Sequence, residues 1–389
     1  MRSSTPSVSA LQEELREVIE TLAAIPRPSA SEGEARAADW IAERLRSHAC
    51  DVEVDVETAY GHFWKPLFAL NALGVAAGLT GRRLLALVAA AGMADEIALG
   101  PYVTRRLVYR SGTTTNVVAV TGDRDADRTL VIHAHHDAAR TSFMFSQKLQ
   151  KWIWQNYPNY IETHDTSAPV WFPAVAAPLL IALGLRRTGA ALCALGAAVY
   201  ADMGRNETVP GANDNLTGVS ALVGIARALR EEPVEGLRVM LVSAGAEETL
   251  QEGIRAFGRR HFPSLPRDRT WFLNLDQLAS PDLVPLEGEG SLKMHDYDKE
   301  FTDFVCECAA EVGPPLRRGS RSWTSTDGCV PVVAGYRAAT LVSLTEWKAP
   351  ANYHWPTDVP ENVDFDSVAR ATRVAERVVR RLAERFPSA

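Results

Sequence analysis

Apolar and polar positions alternate in several different rhythms along this chain. Between residues 8 and 25, Leu11, Leu15, Val18 and Leu22 recur at helical spacing with Glu and Arg between them, which predicts an amphipathic helix. "PRPSASEGE" breaks it. Ser31 and Glu34 then have the spacing of a capping box for a second helix over 32–48, with Trp40, Ile41 and Leu45 on one face. "DVEVDVE" (51–57) alternates strictly and predicts a strand with one wet face. Four later runs are short and continuously apolar: "TLVIHAHHD" (129–137), "LRVMLVSAGAEE" (237–248), "TWFLNLDQ" (270–277) and "RAATLVSL" (337–344). Between and after them, Val219, Leu222, Val223, Ala226 and Leu229 trace one helix face, and Val368, Ala371, Val374, Val378 and Leu382 trace another. Strands alternating with helices predict an α/β fold, with a mostly parallel central sheet covered by helices on both faces, as a single domain over residues 1–389.

Two stretches break this scheme. Residues 64–94 and 169–203 each hold an apolar segment, a Gly with a double Arg (Arg82 and Arg83; Arg186 and Arg187), and a second apolar segment. Each predicts an inserted helical hairpin. Neither clearly holds the roughly 20 consecutive apolar residues of a spanning helix. Trp64 and Trp171 stand near the apolar starts, where membrane-interface aromatics occur. Two readings stay open: the hairpins pack on each other as a subdomain or self-association contact, or they associate with a membrane.

The formal net charge of −7 argues against a nucleic-acid surface. Five cysteines (Cys50, Cys193, Cys306, Cys308, Cys329) form no CxxC pair, which argues against a disulfide framework or a cysteine-built zinc site and fits a reducing compartment. The first 31 residues lack the continuous apolar stretch of a secretory signal, so a cytoplasmic location is expected, with membrane association as its variant.

Three of the four apolar runs end in His, Asp or Glu, at the strand ends where open parallel sheets gather their site residues. His135 and Asp137 follow the first run, Glu247 and Glu248 the second, and Asp276 ends the third. Asp214 precedes a helix in "VPGANDNLTG" and His354 lies in "NYHWPTD". Taken singly, Asp214 reads as a helix N-cap, the Glu pair as a solvated face and His354 as a surface residue. Together, two imidazoles and several carboxylates without a thiolate suit a pair of divalent ions, and zinc accepts all these ligands. An adjacent Glu pair can bind metal through one carboxylate and leave the other free to move a proton.

In these motifs the chain resembles the co-catalytic dizinc aminopeptidases of bacteria, relatives of glutamate carboxypeptidase and the glutaminyl cyclases. The resemblance runs from "AIPRPSASEGEARAADWIAERL" to the His354 loop and leaves out both hairpins. It implies two zinc ions per chain, with His135, Asp214, Glu248, Asp276 and His354 as ligands and Asp214 as the bridge. Asp137 would orient His135, and Tyr353 would help stabilise the tetrahedral intermediate. Glu247 would act as general base toward a metal-bridging hydroxide. His133 is implied to stand behind His135, and His136 holds a variable position. The implied activity is an exopeptidase, foremost an aminopeptidase acting on peptides. The alternatives are a carboxypeptidase, amidohydrolase or glutaminyl cyclase on the same fold, or a non-enzymatic binding or scaffold module, against which the intact ligand set counts. Two features depart from the family: Asn213 stands where an Asp is common, and "EETLQEGIRAF" lacks the usual Glu-Glu-Gly-Leu continuation.

Overall fold

A computed structural model describes residues 8–98 and 100–385. In chain order its strands are β1 (Asp51–Ala59), β2 (Gly112–Gly122), β3 (Thr129–His135), β4 (Arg238–Ala244), β5 (Thr270–Asp276), β6 (Asp282–Pro285), β7 (Gly288–Glu289), β8 (His295–Asp296), β9 (Arg321–Ser322) and β10 (Arg337–Leu344). Seven form one sheet in the order β1-β2-β4-β3-β5-β10-β6. The four apolar runs are its centre, β4-β3-β5-β10, and pair in parallel. The flanking strands β1, β2 and β6 pair antiparallel. The central strands read as unbroken apolar runs because both faces are covered. Leu130, Ile132 and Ala134 enter the core on one face, and Val131 enters the core on the other.

The first face carries α1 (Val8–Ala23), α2 (Glu32–Ser47), α10 (Thr217–Glu231), α12 (Lys299–Val312) and α14 (Phe365–Glu384). The second carries α11 (Glu252–His261), whose Ile254 and Phe257 pack on Val242 and Phe272. The periodic residues Val219, Leu222, Val223, Val368, Val374 and Val378 are all fully buried.

Two local expectations are corrected. Ser31 does cap α2, accepting from Glu34 N at 3.2 Å. Glu34, however, turns to the sheet, where it accepts from Ala30 N, Thr114 Oγ1 and Thr115 N, because those buried donors need an acceptor. The alternation of β1 also inverts: Asp55 is buried against His261 at 2.7 Å, while Val56 is exposed. Packing of α11 on β1 supplies the partner that makes a buried carboxylate tolerable there.

The hairpin stretches are helical. They hold α3 (Trp64–Thr80) and α4 (Arg83–Ile97), then α8 (Phe172–Ala182) and α9 (Arg186–Arg205), with the short helices α5 (Val103–Val108), α6 (Lys148–Asn156) and α7 (Pro158–Thr163) nearby. The four long helices pack together as a third layer. Small residues set the approach: a Cβ on Gly78 would lie 2.6 Å from that of Ala190, and one on Gly189 would lie 2.6 Å from the Ala177 carbonyl oxygen. Trp64 and Trp171 are half-buried and pack against the cluster of Leu67, Met93, Ile97 and Tyr200. No helix among the described residues is long and apolar enough to cross a membrane.

Candidate metal centre

The candidate residues come from five separate segments and meet at the carboxyl ends of the central strands. His135 closes β3 and Asp276 closes β5, its parallel neighbour. On the other side, Ala244 of β4 lies opposite His135, and the turn leading to Glu247 and Glu248 follows it. Asp214 lies in the turn before α10, and His354 lies in the turn-rich loop between β10 and α14. Several backbone positions here are left-handed without being glycine: Ala246 at φ 48°, Leu250 at 69°, Gln251 at 60°, Gln277 at 55° and His354 at 49°. Such conformations persist only where surrounding contacts over-determine them.

The contacts that hold the Asp214 turn are visible. Asn215 Nδ2 donates to Leu275 O at 2.8 Å, and its Oδ1 accepts from Gly218 N and Gln277 N. Asn213 accepts from Ala279 N and donates to Ala351 O. The asparagines that flank Asp214 thus tie its turn to β5 and to the His354 loop. Asp214 is not a helix cap, since Leu216 holds the N-cap position of α10 and no side chain caps it.

Ligand-type atoms then converge in groups. His135, Asp214 and Asp276 each offer one atom, all within 4.8 Å of one another. Asp214, Glu248 and His354 do the same. The two groups share Asp214, whose oxygens lie 3.3 Å from His135 Nε2 and 3.1 Å from His354 Nε2. His354 Nε2 is also 3.1 Å from Glu248 Oε2. A third grouping joins His135 to Glu247 and Glu248. Asp214 Oδ2, Asp276 Oδ1 and Glu248 Oε1 are buried without a hydrogen-bond partner, which buried acceptors rarely tolerate. Burial, with Asp214, Asp327 and Glu248 close by, lifts the Asp276 carboxyl well above the usual range against the pull of His135. Burial alone would lower His354, yet Glu248 and Asp214 hold it up at about 10. Concentrated negative charge, orphaned carboxylate oxygens and imidazole nitrogens aimed at shared points fit divalent cations with N and O ligands.

Asp137 organises the edge of this cluster. Its Oδ1 accepts from Glu247 N at 3.0 Å and lies 3.3 Å from His135 Nδ1. Its Oδ2 accepts from Ser29 Oγ at 2.5 Å and Glu248 N at 3.1 Å. One carboxylate therefore sets the imidazole and the Glu-Glu turn together. Burial would raise its pKa, but the bonds from His135 and Ser29 take it below the ordinary value. Glu247 is partly buried and accepts from Gln251 Nε2 at 3.3 Å. Burial, with Asp327, Glu248 and Asp276 nearby, raises its carboxyl well above the usual range, opposed by His135. Tyr353 stacks on His354 with ring centroids 3.8 Å apart, and Phe145 meets the His354 ring edge-on at 4.4 Å. His133 shares the strand face of His135 but makes no hydrogen bond. It packs edge-on against Phe272 at 6.1 Å, and burial takes its pKa to about 3. His136 pairs with Ser243 Oγ at 2.9 Å.

Other residues at the site went unread in the sequence. Asp358 sits inside the motif that carries His354 and accepts from Asn213 N and Asp214 N at 2.7 and 3.1 Å. Asp327 is 1% exposed, with neither oxygen hydrogen-bonded, and burial takes its carboxyl to about 8. Its turn, "TSTDGC", carries no periodic signal. Arg27 is fully buried and spends its guanidinium on the carbonyls of His136, Leu22, Pro210 and Gly211. Arg105 is wholly buried and binds Glu96 at 2.8 Å, Glu252 at 3.4 Å and the Thr249 carbonyl at 2.8 Å, just beyond the Glu-Glu turn.

Known proteins share this architecture. The aminopeptidase from Aneurinibacillus sp. strain AM-1 superposes with a TM-score of 0.56 at 13% identity, covering 95% of this chain and 93% of that one. A glutaminyl cyclase from Bacteroides thetaiotaomicron gives 0.58 at 12%, covering 95% and 97%. A Zn-dependent exopeptidase from Parabacteroides distasonis gives 0.55 at 12%, covering 95% and 97%. No curated protein matches the chain by sequence. Residues 194–379 match the model of peptidase family M28, a segment holding Asp214, Glu247, Glu248, Asp276 and His354 but not His135 or Asp137. Residues 194–379 therefore match peptidase family M28, and the chain as a whole shares the fold of these solved structures.

Proposed function

We propose that this metallopeptidase is a dizinc aminopeptidase that removes residues from the N-termini of peptides. The observation that carries the reading is the pair of ligand groups sharing Asp214, with Glu247 beside them. His135, Asp214 and Asp276 would hold one zinc, and Asp214, Glu248 and His354 the other. Bound zinc supplies Lewis acidity toward the scissile carbonyl and makes water acidic enough to attack at neutral pH.

The chain's own groups do the rest. Glu247 takes a proton from the attacking water and returns it to the leaving amine as the C–N bond breaks and the new C–O bond forms. Asp137 holds the Glu247 and Glu248 amides and the His135 ring, so that the base and the two ligands keep one geometry. Burial and the surrounding carboxylates raise the Tyr353 phenol well above its ordinary pKa, so it stays protonated and can donate to the developing oxyanion. One observation supports an amino rather than a carboxyl terminus: the buried Arg27 behind the site is consumed by backbone carbonyls, so its guanidinium is not free to hold a terminal carboxylate.

The test joins metal content to substrate end. Purified protein is expected to carry about two zinc per chain. It should release amino acids from free peptides and leave their N-acetylated forms intact. Glu247→Gln should retain metal and lose roughly 10²–10⁴-fold in kcat. One zinc per chain, with release of ammonia from N-terminal glutaminyl peptides, would move the assignment to a cyclase. Cleavage indifferent to acetylation would move it to a carboxypeptidase.

A further inference from the structure

The third layer ends away from the metal centre in a composite tip. The loop between α3 and α4 lies beside the one between α8 and α9, because Arg186 donates to the carbonyls of Gly78 at 3.0 Å and Leu79 at 2.9 Å. Around that junction Leu79, Leu84, Leu183 and Leu185 are 75%, 73%, 79% and 56% exposed. Leu87, Val88 and Leu195 continue the exposed apolar surface down the helices. Leucines this exposed, gathered at one end of a layer, form a patch rather than the scatter normal on a surface. Arg82, Arg83 and Arg187 stand among them, exposed and without an acidic partner among the described residues. Residues 64–94 and 169–201 contain no Asp or Glu at all, in a chain whose acidic residues outnumber its Lys and Arg by 48 to 41.

We propose that the paired tips, residues 79–84 and 183–188, dock this protein on an anionic membrane surface, as a peripheral attachment rather than a spanning one. Leucines at the tips would enter the headgroup and acyl boundary while the arginines meet lipid phosphates from its edge. No helix among the described residues is long and apolar enough to span. A second copy of the chain fits less well, since a two-fold contact through this face sets arginines against their own equivalents. The opposite ends of the hairpins lie toward the metal centre, because Trp64 and Phe145 pack against one cluster and Phe145 touches His354. α3 has 17 residues and spans roughly 25 Å, so docking would hold the cleft about that far out in the water. The inference stands apart from the catalytic assignment, since no metal-centre residue enters it.

Full-length protein would be sedimented with vesicles of phosphatidylcholine alone and of phosphatidylcholine mixed with phosphatidylglycerol. Binding is expected to the anionic vesicles only and to weaken with added salt. Replacing Arg82, Arg83 and Arg187 together by Ser should weaken it about a hundredfold, at about fivefold per arginine. The pair Leu84→Ser and Leu183→Ser should weaken it independently of salt. Circular dichroism melts matching wild type would show that both variants fold. Wild-type protein left in the supernatant with anionic vesicles overturns the proposal. Undiminished binding by the triple variant also overturns it. A dimer dispersed by the leucine pair, without vesicle binding, assigns the face to a second copy and overturns it as well.

Discussion

The α/β body and the four-helix layer solve the same burial problem by different means. In the body, helices are amphipathic and three are anchored by capping side chains: Ser31 on α2, Asp298 on α12 and Asp364 on α14. In the layer, α3, α4 and α8 are apolar nearly all round and have no side-chain caps. The body therefore chooses its inward face by periodicity, and the layer chooses by steric fit at Gly78 and Gly189. The consequence is a difference in surface. The body leaves few large apolar side chains outside, whereas the layer and the segment beside it leave many. A face that periodicity specifies is buried completely, and one set by fit alone leaves apolar remainder for something else to cover.

Arg105 is where the two regions meet, and breaking it should give the largest effect. Arg105→Ala would strand Glu96 and Glu252 in the interior, at a cost of about 3–5 kcal/mol. A urea midpoint measures this, and kcat should fall as well because the Thr249 carbonyl loses its donor. An unchanged midpoint would show that layer and body are independent.

Within the body, pH should reveal a buried acid. Glu289 accepts from Tyr297 Oη and from Thr326, and burial raises its carboxyl to about 7. The folded protein then holds a proton that the unfolded chain releases near its ordinary carboxylate pKa. Stability should therefore fall as pH rises from about 4.5 to 7, by about 3 kcal/mol, and level off above. Denaturant titrations from pH 5 to 8 would show the slope, and Glu289→Gln should remove this part of it.

Within the layer, Gly189→Val should cost about 1–3 kcal/mol through overpacking against Ala177 and Ile181. Leu183→Ser, at the exposed tip of the same layer, should change the melting free energy by no more than about 0.5 kcal/mol. A large effect at Leu183 would mean that the tip is covered in the protein as it exists in solution.

Legibility followed the same division. The four buried strands were readable because unbroken apolar runs have few other uses, and the strand-end polarity of His135, Asp137 and Asp276 stood out against them. Asp327 was not readable, since a lone Asp in a turn differs from any other until β5 and the Glu-Glu turn close over it. Arg105 went unread as well, because only the approach of α4 and α11 supplies its acids. Ser31 showed its capping role at once, whereas the partners of Glu34 were hidden, because Thr114 and Thr115 lie far away in the chain.

Sequence alone determined the four central strands, the helices α1, α2, α10 and α14, and which chemical groups stand at the strand ends, since periodicity and local spacing are properties of neighbouring residues; β2, α11 and α12 were not read from it. The three-dimensional structure alone decided which carboxylates face one another, which arginines are buried and where apolar surface is left over. Those outcomes depend on long-range packing, and at short distance a charge or a leucine is defined by partners that the chain brings together only on folding.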